Sequence, residues 1–358
     1  MKILYVITGL AQGGAERVVC DLADAMCTKG HTVKIAYLTG SVLTKPKSDA
    51  IELIPINLTG LTGLPFAYVK ISQLIRSYRP DVVHSHMVHA NILARLIRLS
   101  TPVNRLITTA HSSNEGGGLR MLAYRITNNL SDLTTNVSST AVSSFESKHA
   151  VPKGKMQTIY NGVNFENFFY DPLAKENTLD SLGLPDDTKL VLAVGRFSEA
   201  KNYPNLLHAI KDLKELTDFK FRLLIAGDGE LRPQIEQLIT HLGLEDYVIL
   251  LGRRSDIQQL MSACDVFVLS SDHEGLPTVL IEALACQAHI VSTDVSGVRE
   301  VVDRYATVVP PKNSQALAQA ILKNLSNVEK NIQGRYFAKS KFDLNKVSEE
   351  WLSIYNEI

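Results

Sequence analysis

Short apolar runs alternate along the chain with stretches whose apolar positions recur every three or four residues. The first kind reads as buried strand, the second as amphipathic helix. Ile3–Ile7 opens the chain as a strand. A helix over 15–28 ends near Gly30, and 32–38 is again a strand, with Leu53–Ile56 a further candidate. A helix over 66–78 stops before Pro80. Val82–His84 is a strand, 89–99 a helix, Leu106–Thr109 a strand, 119–129 a helix and 133–137 a strand. Strands this apolar are buried on both faces, which predicts a parallel sheet between helices.

The alternation breaks at Tyr160-Asn161-Gly162-Val163-Asn164, and a polar stretch follows to about Lys189. It restarts with Leu190–Val194, then helices near 203–216 and 230–241 and strands near 221–226, 247–251, 265–269 and 289–292. Residues 343–358 read as an amphipathic helix. The expected organisation is two doubly wound α/β domains, 1–163 and 164–339, facing across a cleft. The C-terminal helix, about 340–358, is expected to pack back on the first domain. Open parallel sheets bind ligands at the carboxyl ends of their strands, so the turns after the strands are where chemistry is expected.

A length of 358 residues suits two domains with separate cores. The 37 basic and 37 acidic residues cancel, yet the halves differ. Residues 1–160 hold 17 Lys and Arg against 9 Asp and Glu, and residues 161–358 hold 20 against 28. A basic half suits an anionic partner, either nucleic acid or an acidic membrane face. No reading helix, RNA motif or aromatic-basic platform is visible, which disfavours nucleic acid. The residues mixing apolar and basic character are Tyr68, Val69, Lys70, Ile71, Leu74, Ile75, Arg76 and Arg79 on one helix. Arg95, Arg98, Arg105, Arg120 and Arg125 add charge. They form either a face for acidic lipids or a core stripe with a solvated basic edge. Four separated cysteines, Cys20, Cys27, Cys264 and Cys286, read as buried free thiols of a reducing compartment. No apolar stretch reaches membrane-span length. The expected location is the cytoplasm, with the cytoplasmic face of the inner membrane allowed by the basic half.

The richest stretch is Ser271-Asp272-His273-Glu274-Gly275-Leu276-Pro277-Thr278-Val279-Leu280-Ile281-Glu282. It follows a strand and opens a helix, leaving peptide N–H groups of Gly275, Leu276, Thr278 and Val279 at a helix N-terminus that favours hydroxyl and phosphate oxygens. Pro277 donates nothing. Glu274 beside such donors suits a sugar on a diphosphate, and Glu282, two turns on, suits a ribose. The bland alternative is that Glu274 merely favours the helix N-terminus and Glu282 is solvated. Other post-strand turns carry Gly9-Leu10-Ala11-Gln12-Gly13-Gly14, then His111, then Gly195-Arg196-Phe197-Ser198-Glu199-Ala200-Lys201-Asn202, then Gly227-Asp228-Gly229.

In this order, with the Asn161-Gly162-Val163 hinge, these motifs resemble the retaining glycosyltransferases of family 4, whose GT-B fold consists of two Rossmann-like domains. The wider group builds surface polysaccharides and lipid-linked glycans in bacteria. The resemblance implies that Arg196 and Lys201 contact the diphosphate, rather than being two solvated cations. It places Glu274 beside the donor sugar and Glu282 on the ribose. It puts Arg253, after Leu250-Leu251-Gly252, in the base-binding loop. Gly13 and Gly14 let backbone approach phosphate or acceptor closely, or form an ordinary turn. It implies that His111 contacts the donor sugar near its C6 hydroxyl, whereas a lone histidine by itself would read as structural.

The leaving nucleoside diphosphate needs its growing charge stabilised. The chain has no Asp-x-Asp pair to hold a metal, so cations and a helix N-terminus are the expected answer, with no cofactor and no metal. His84, His86 and His89 are spaced closely enough to suggest a metal site, but no Cys or acid completes the set. His86 or Asn91 in an acceptor site is a second reading. The implied activity is transfer of a hexose or N-acetylhexosamine from a nucleotide, UDP expected, to a glycan acceptor on a lipid carrier, with retention. The rivals are a sugar-nucleotide epimerase or phosphorylase of the same fold, and a non-catalytic module binding nucleotide sugar or glycan. Donor sugar, acceptor and oligomeric state are not legible, because pocket shape sets them.

Overall fold

In the computed structural model Ile3, Leu4, Tyr5, Val6 and Ile7 are all fully buried in β1 (Lys2–Gly9), the third strand of a seven-stranded sheet. The structure describes every residue except Gln12, Asn114, Val328 and Ile358, and Leu61 by its backbone alone. Two units emerge, Met1–Val163 with the segment from Phe342 onward, and Asn164–Lys341.

In the first unit β1 is followed by α1 (Gly14–Thr28), β2 (Thr32–Thr39), β3 (Glu52–Pro55) and α2 (Leu64–Tyr78). Then come β4 (Val82–His86), α3 (Val88–Ile97), β5 (Arg105–Ala110), α4 (Gly118–Thr127), β6 (Leu133–Asn136), α5 (Ser139–Ser147) and β7 (Met156–Thr158). The sheet runs β3-β2-β1-β4-β5-β6-β7 and every pairing is parallel. Side chains on a strand alternate between faces. Ile3, Tyr5 and Ile7 accordingly pack with Val19, Leu22, Ala23 and Met26 of α1. Leu4 and Val6 pack on the other face with Ile71 and Ile75 of α2 and Leu93 and Ile97 of α3.

The second unit contains α6 (Ala174–Leu182), β8 (Lys189–Val194), α7 (Tyr203–Leu216), β9 (Phe221–Ala226), α8 (Arg232–His241), β10 (Val248–Gly252), α9 (Ile257–Ala263) and β11 (Val266–Leu269). It continues with α10 (Thr278–Ala285), β12 (His289–Thr293), α11 (Val298–Val302), β13 (Thr307–Val309) and α12 (Ser314–Leu325). Its sheet is again all parallel, in the order β10-β9-β8-β11-β12-β13. Val191 and Ala193 of β8 bury against Leu206, Leu207 and Ile210 of α7 and Leu317 and Ile321 of α12. Helix α13 (Ile332–Phe342) then leads to α14 (Leu344–Asn356).

α14 belongs to the first unit, where Val347, Trp351, Ile354 and Tyr355 join the core of β1 and α1. It also carries acid: Asp343, Glu349, Glu350 and Glu357 against Lys346 lower that unit's excess from +8 over residues 1–163 to +5. Arg95 is not part of any basic face. It is fully buried, donating to the hydroxyls of Thr108 (2.8 Å), Thr134 (2.8 Å) and Thr127 (3.3 Å) and to the Tyr124 carbonyl (3.3 Å). Burial lowers its guanidinium to about 10. Arg98 and Arg105 are tied to Asp132 and Glu357. Of the cysteines, Cys20, Cys264 and Cys286 are buried and Cys27 half-buried, all as free thiols.

Candidate active site

A doubly wound sheet opens a crevice where the strand order reverses, because connections on either side leave in opposite directions. In the second unit that point lies between β8 and β11, which pair directly through Val191–Val266 and Leu192–Phe267. The two richest motifs of the sequence follow these two strands.

The loops are stitched together. The Ser270 hydroxyl donates to the Lys201 carbonyl at 2.9 Å, and the Asp272 N–H to the Ala200 carbonyl at 2.8 Å. The Asn202 amide donates to Asp272 at 2.9 Å. Asn202 has φ 44 and caps α7 by accepting from the Asn205 N–H. A small amide side chain tolerates that left-handed turn and supplies the cap. Lys201, one residue before it, is thereby aimed across the crevice, its Nζ 2.7 Å from Glu274 Oε1. The same oxygen accepts from the Ser271 hydroxyl at 2.7 Å. Both members of the pair are half-buried. An ammonium has three donors, so Lys201 can keep Glu274 while reaching phosphate oxygens.

Arg196 sits on the same loop but is exposed, 3.6 Å from an exposed Glu230. Gly275 and Leu276 continue from Glu274. Thr278 and Val279 are the first residues of α10, where N–H groups have no carbonyl a turn earlier in the helix. Glu282 is half-buried one turn beyond Thr278. Arg253 is exposed after β10, the edge strand, two strands away from the switch point. Its neighbour Arg254 is taken up by Asp256 at 2.8 Å.

Two glycines hold the backbone close. A Cβ on Gly227 would stand 1.9 Å from the Gly195 carbonyl oxygen, beside Arg196. Gly297, at φ 77, would place one 2.3 Å from the Gly275 carbonyl oxygen. Gly297 is a site-shaping residue that sequence reasoning missed. It lies 22 positions from the loop it supports, and the only signal was a glycine just before the helix that follows β12.

In the first unit the order reverses between β1 and β4. Gly13 and Gly14 open α1 after β1, exposed, with Gly13 in extended backbone as the cap. Gln12 of that turn lies outside the described residues. His86 ends β4 and His111 follows β5. Their rings meet, with His86 Nδ1 3.0 Å from His111 Nε2. His84 and His86 share one strand face, their centroids 4.0 Å apart. His84 is spent on the Tyr355 hydroxyl and the Thr109 hydroxyl, both at 2.7 Å. His89 is exposed on α3, so the three histidines form no common site, and no metal-binding group of His, Cys, Asp or Glu exists among the described residues. Asn91 does not face an acceptor. It is fully buried, accepting from Ser85 and donating to Thr109 and Tyr124. Burial pushes His111 down to about 4, and His86 and His84 well below the usual imidazole value. All three rings are therefore neutral at neutral pH.

Two doubly wound units, with cations and a helix N-terminus meeting at the switch point of the second, define a GT-B glycosyltransferase. The chain belongs to the glycosyltransferases of the family 4 type: residues 12–167 match the family model Glycosyltransferase Family 4, and residues 174–341 match Glycosyl transferases group 1. Two Campylobacter jejuni proteins are each 28% identical to it. One is N-acetylgalactosamine-N,N'-diacetylbacillosaminyl-diphospho-undecaprenol 4-alpha-N-acetylgalactosaminyltransferase, aligned over 89% of both chains. The other is GalNAc-alpha-(1->4)-GalNAc-alpha-(1->3)-diNAcBac-PP-undecaprenol alpha-1,4-N-acetyl-D-galactosaminyltransferase, aligned over 100% of this chain and 99% of its own. Among solved structures, Anabaena Alr3699/HepE in complex with UDP and glucose superposes with a TM-score of 0.86, at 20% identity over the whole of both chains.

Proposed function

We propose that this glycosyltransferase moves an N-acetylhexosamine or hexose from UDP to a lipid-linked glycan, retaining the anomeric configuration and needing no metal. The observation that carries the reading is the Lys201–Glu274 pair, spanning the two switch-point loops at the N-terminus of α10. Lys201 and Arg196 offer positive charge to the departing diphosphate, and the N–H groups of Gly275, Leu276, Thr278 and Val279 offer donors. Glu274 orients a sugar hydroxyl, Glu282 a ribose, and the Arg253 loop holds the base. His111 is assigned to a hydroxyl of the transferred sugar. With cations and dipoles supplying the stabilisation, the chemistry does not call for a Lewis acid.

The acceptor class follows the two Campylobacter relatives, whose names specify undecaprenol-linked glycans and alpha linkages. An alpha product is what retention leaves from an alpha-linked nucleotide sugar. UDP follows the HepE complex. Same-face attack, with the departing phosphate oxygen taking the acceptor proton, requires no nucleophilic carboxylate.

Such an acceptor calls for a membrane surface. Helix α4 supports that, since Leu119, Leu122 and Ile126 are 85%, 51% and 72% exposed along one face while Met121 and Tyr124 are buried. Arg120 and Arg125 flank the face, the arrangement that binds an anionic lipid interface. No helix among the described residues is long and apolar enough to cross a membrane.

The purified protein incubated in EDTA with UDP- and GDP-sugars and a lipid-linked glycan extract tests the reading. Acceptor-dependent UDP release, with the product's anomeric coupling matching the donor's, is the expected result. Release that collapses in EDTA, comes only from GDP-sugars, or yields the opposite anomer overturns the corresponding part. Conversion of the donor without any acceptor would point to an epimerase.

A further inference from the structure

Two acids of the loop after β11 divide their work. Glu274 takes the Lys201 ammonium, while Asp272, two residues earlier, faces the turn that carries Lys201. Its Oδ1 accepts the Asn202 side-chain amide at 2.9 Å, and its Oδ2 stands 3.7 Å from the Lys312 ammonium. The Asp272 side chain is 16% exposed and that of Lys312 72%. An ion pair so open to solvent contributes little, so the bond to Asn202 is the stronger tie.

Asn202 needs such a partner. Its φ of 44 and ψ of 51 are left-handed, a conformation that a residue other than glycine keeps only where its surroundings fix it. Its side-chain oxygen accepts the Asn205 N–H at 3.1 Å and its nitrogen donates to Asp272. A backbone N–H only donates and a carboxylate only accepts, so the amide has one orientation, with both ends occupied.

That turn sets where Lys201 points. The carbonyls of Ala200 and Lys201 accept from the Asp272 N–H at 2.8 Å and the Ser270 hydroxyl at 2.9 Å. Asn202 then bends the chain into α7. The Lys201 stem lies along Gly195, where a Cβ would stand 3.2 Å from Lys201 Cε and 3.3 Å from the Tyr203 hydroxyl. Tyr203 in turn donates to the Gly195 carbonyl at 3.0 Å. A flexible four-carbon stem keeps to such a track only while its own backbone is held.

We propose that Asp272 is a positioning residue for transfer: its carboxylate locks Asn202 in the left-handed turn from which Lys201 is aimed at Glu274 and at the departing diphosphate. This assignment rests on the proposed place of Lys201 at the diphosphate. All the residues that carry it lie in the second unit.

Three substitutions separate the hydrogen bond from the charge. Asp272→Ala removes both ties, Asp272→Asn keeps an oxygen for the Asn202 amide, and Lys312→Ala removes only the exposed ion pair. In UDP release, kcat should fall about tenfold or more in Asp272→Ala with donor KM within about threefold, since a misaimed cation costs most in the transition state. Asp272→Asn should recover to within about threefold, and Lys312→Ala should stay within about twofold. Combined with Lys201→Ala, Asp272→Ala should add no further loss. Equal losses in Asp272→Ala and Asp272→Asn, or a full extra loss on top of Lys201→Ala, overturns the proposal.

Urea unfolding supplies a readout that does not depend on activity. Lys201→Ala and Glu274→Ala should be non-additive in the parent and additive in the Asp272→Ala background. Coupling that persists undiminished without Asp272 overturns the positioning role. If the parent protein transfers no sugar, the functional reading fails on its own, and this coupling still decides whether Asp272 aims Lys201. Should Asp272→Ala not fold, Asn202→Gly removes the same bond from its other end while tolerating the positive φ. It should reproduce both the kcat loss and the lost coupling, and parent-like values in both would refute the assignment.

Discussion

Lys201 Nζ lies 2.7 Å from Glu274 Oε1, so the loop after β8 and the loop after β11 share one ion pair across the switch point. Lys201→Ala and Glu274→Ala should each lower kcat by about a hundredfold or more, leaving circular dichroism and melting cooperativity intact. Groups acting as one unit lose function non-additively, so the double variant should be little worse than either single one. Steady-state UDP release decides it, and full activity in both single variants refutes the site.

Gly297 allows the loop it leads to lie against the Gly275 carbonyl. Gly297→Ala should cost about 1–3 kcal/mol through its positive φ and the 2.3 Å clash. Because the displaced carbonyl adjoins Glu274, donor KM should rise as well. Urea titration and donor kinetics on the same preparation report the two effects. A stability loss with unchanged KM would show that the contact is structural alone.

Acid should destabilise the first unit. Burial depresses His111 to about 4 and lowers His84 and His86 in the same direction, well below the ordinary imidazole value. The unfolded chain then binds more protons than the folded one below the ordinary imidazole value. Stability is full above about pH 6.5 and is lost as pH falls from there towards 4, His111 alone accounting for on the order of 2 kcal/mol. The urea midpoint should drop steeply between pH 7 and 4.5, and less so in His111→Gln. A midpoint independent of pH in that window would contradict the buried neutral rings.

Helix α4 should bind anionic vesicles. Leu119→Ser with Ile126→Ser should abolish flotation with phosphatidylglycerol liposomes while leaving transfer to a water-soluble acceptor within about twofold, since neither side chain contacts the core. No flotation of the parent protein removes the membrane reading without touching the catalytic one.

The strands were readable because a parallel sheet buried on both faces makes continuous apolar runs, as in Ile3–Ile7 and Val266–Leu269. Strands β7 and β13 escaped, each only three residues long and at a sheet edge. Helix α6 lay hidden in the polar stretch after Asn164, since it buries only Ala174, Thr178 and Leu179. The loop motifs of the second unit could be placed because each directly follows its strand. What could not be read were contacts created by register. His86 and His111 are 25 positions apart and meet because β4 pairs with β5. Arg95 looked like surface charge, but the hydroxyls of Thr108, Thr127 and Thr134 that accept it come from three other elements.

Tyr355 of α14 donates to or accepts from His84 at 2.7 Å and touches the Tyr5 hydroxyl at 3.2 Å. Strand β1 is therefore completed only by α14, a helix on the far side of the second unit in the chain. Asn164–Lys341 is uninterrupted and can fold while synthesis continues, whereas the unit begun at Met1 exposes the α1 and β1 surface meant for Trp351 until translation has passed residue 355. A nascent chain stalled before that point would show a protease-resistant second unit beside a cleavable first one. The unit that synthesis reaches first should therefore be the one completed last.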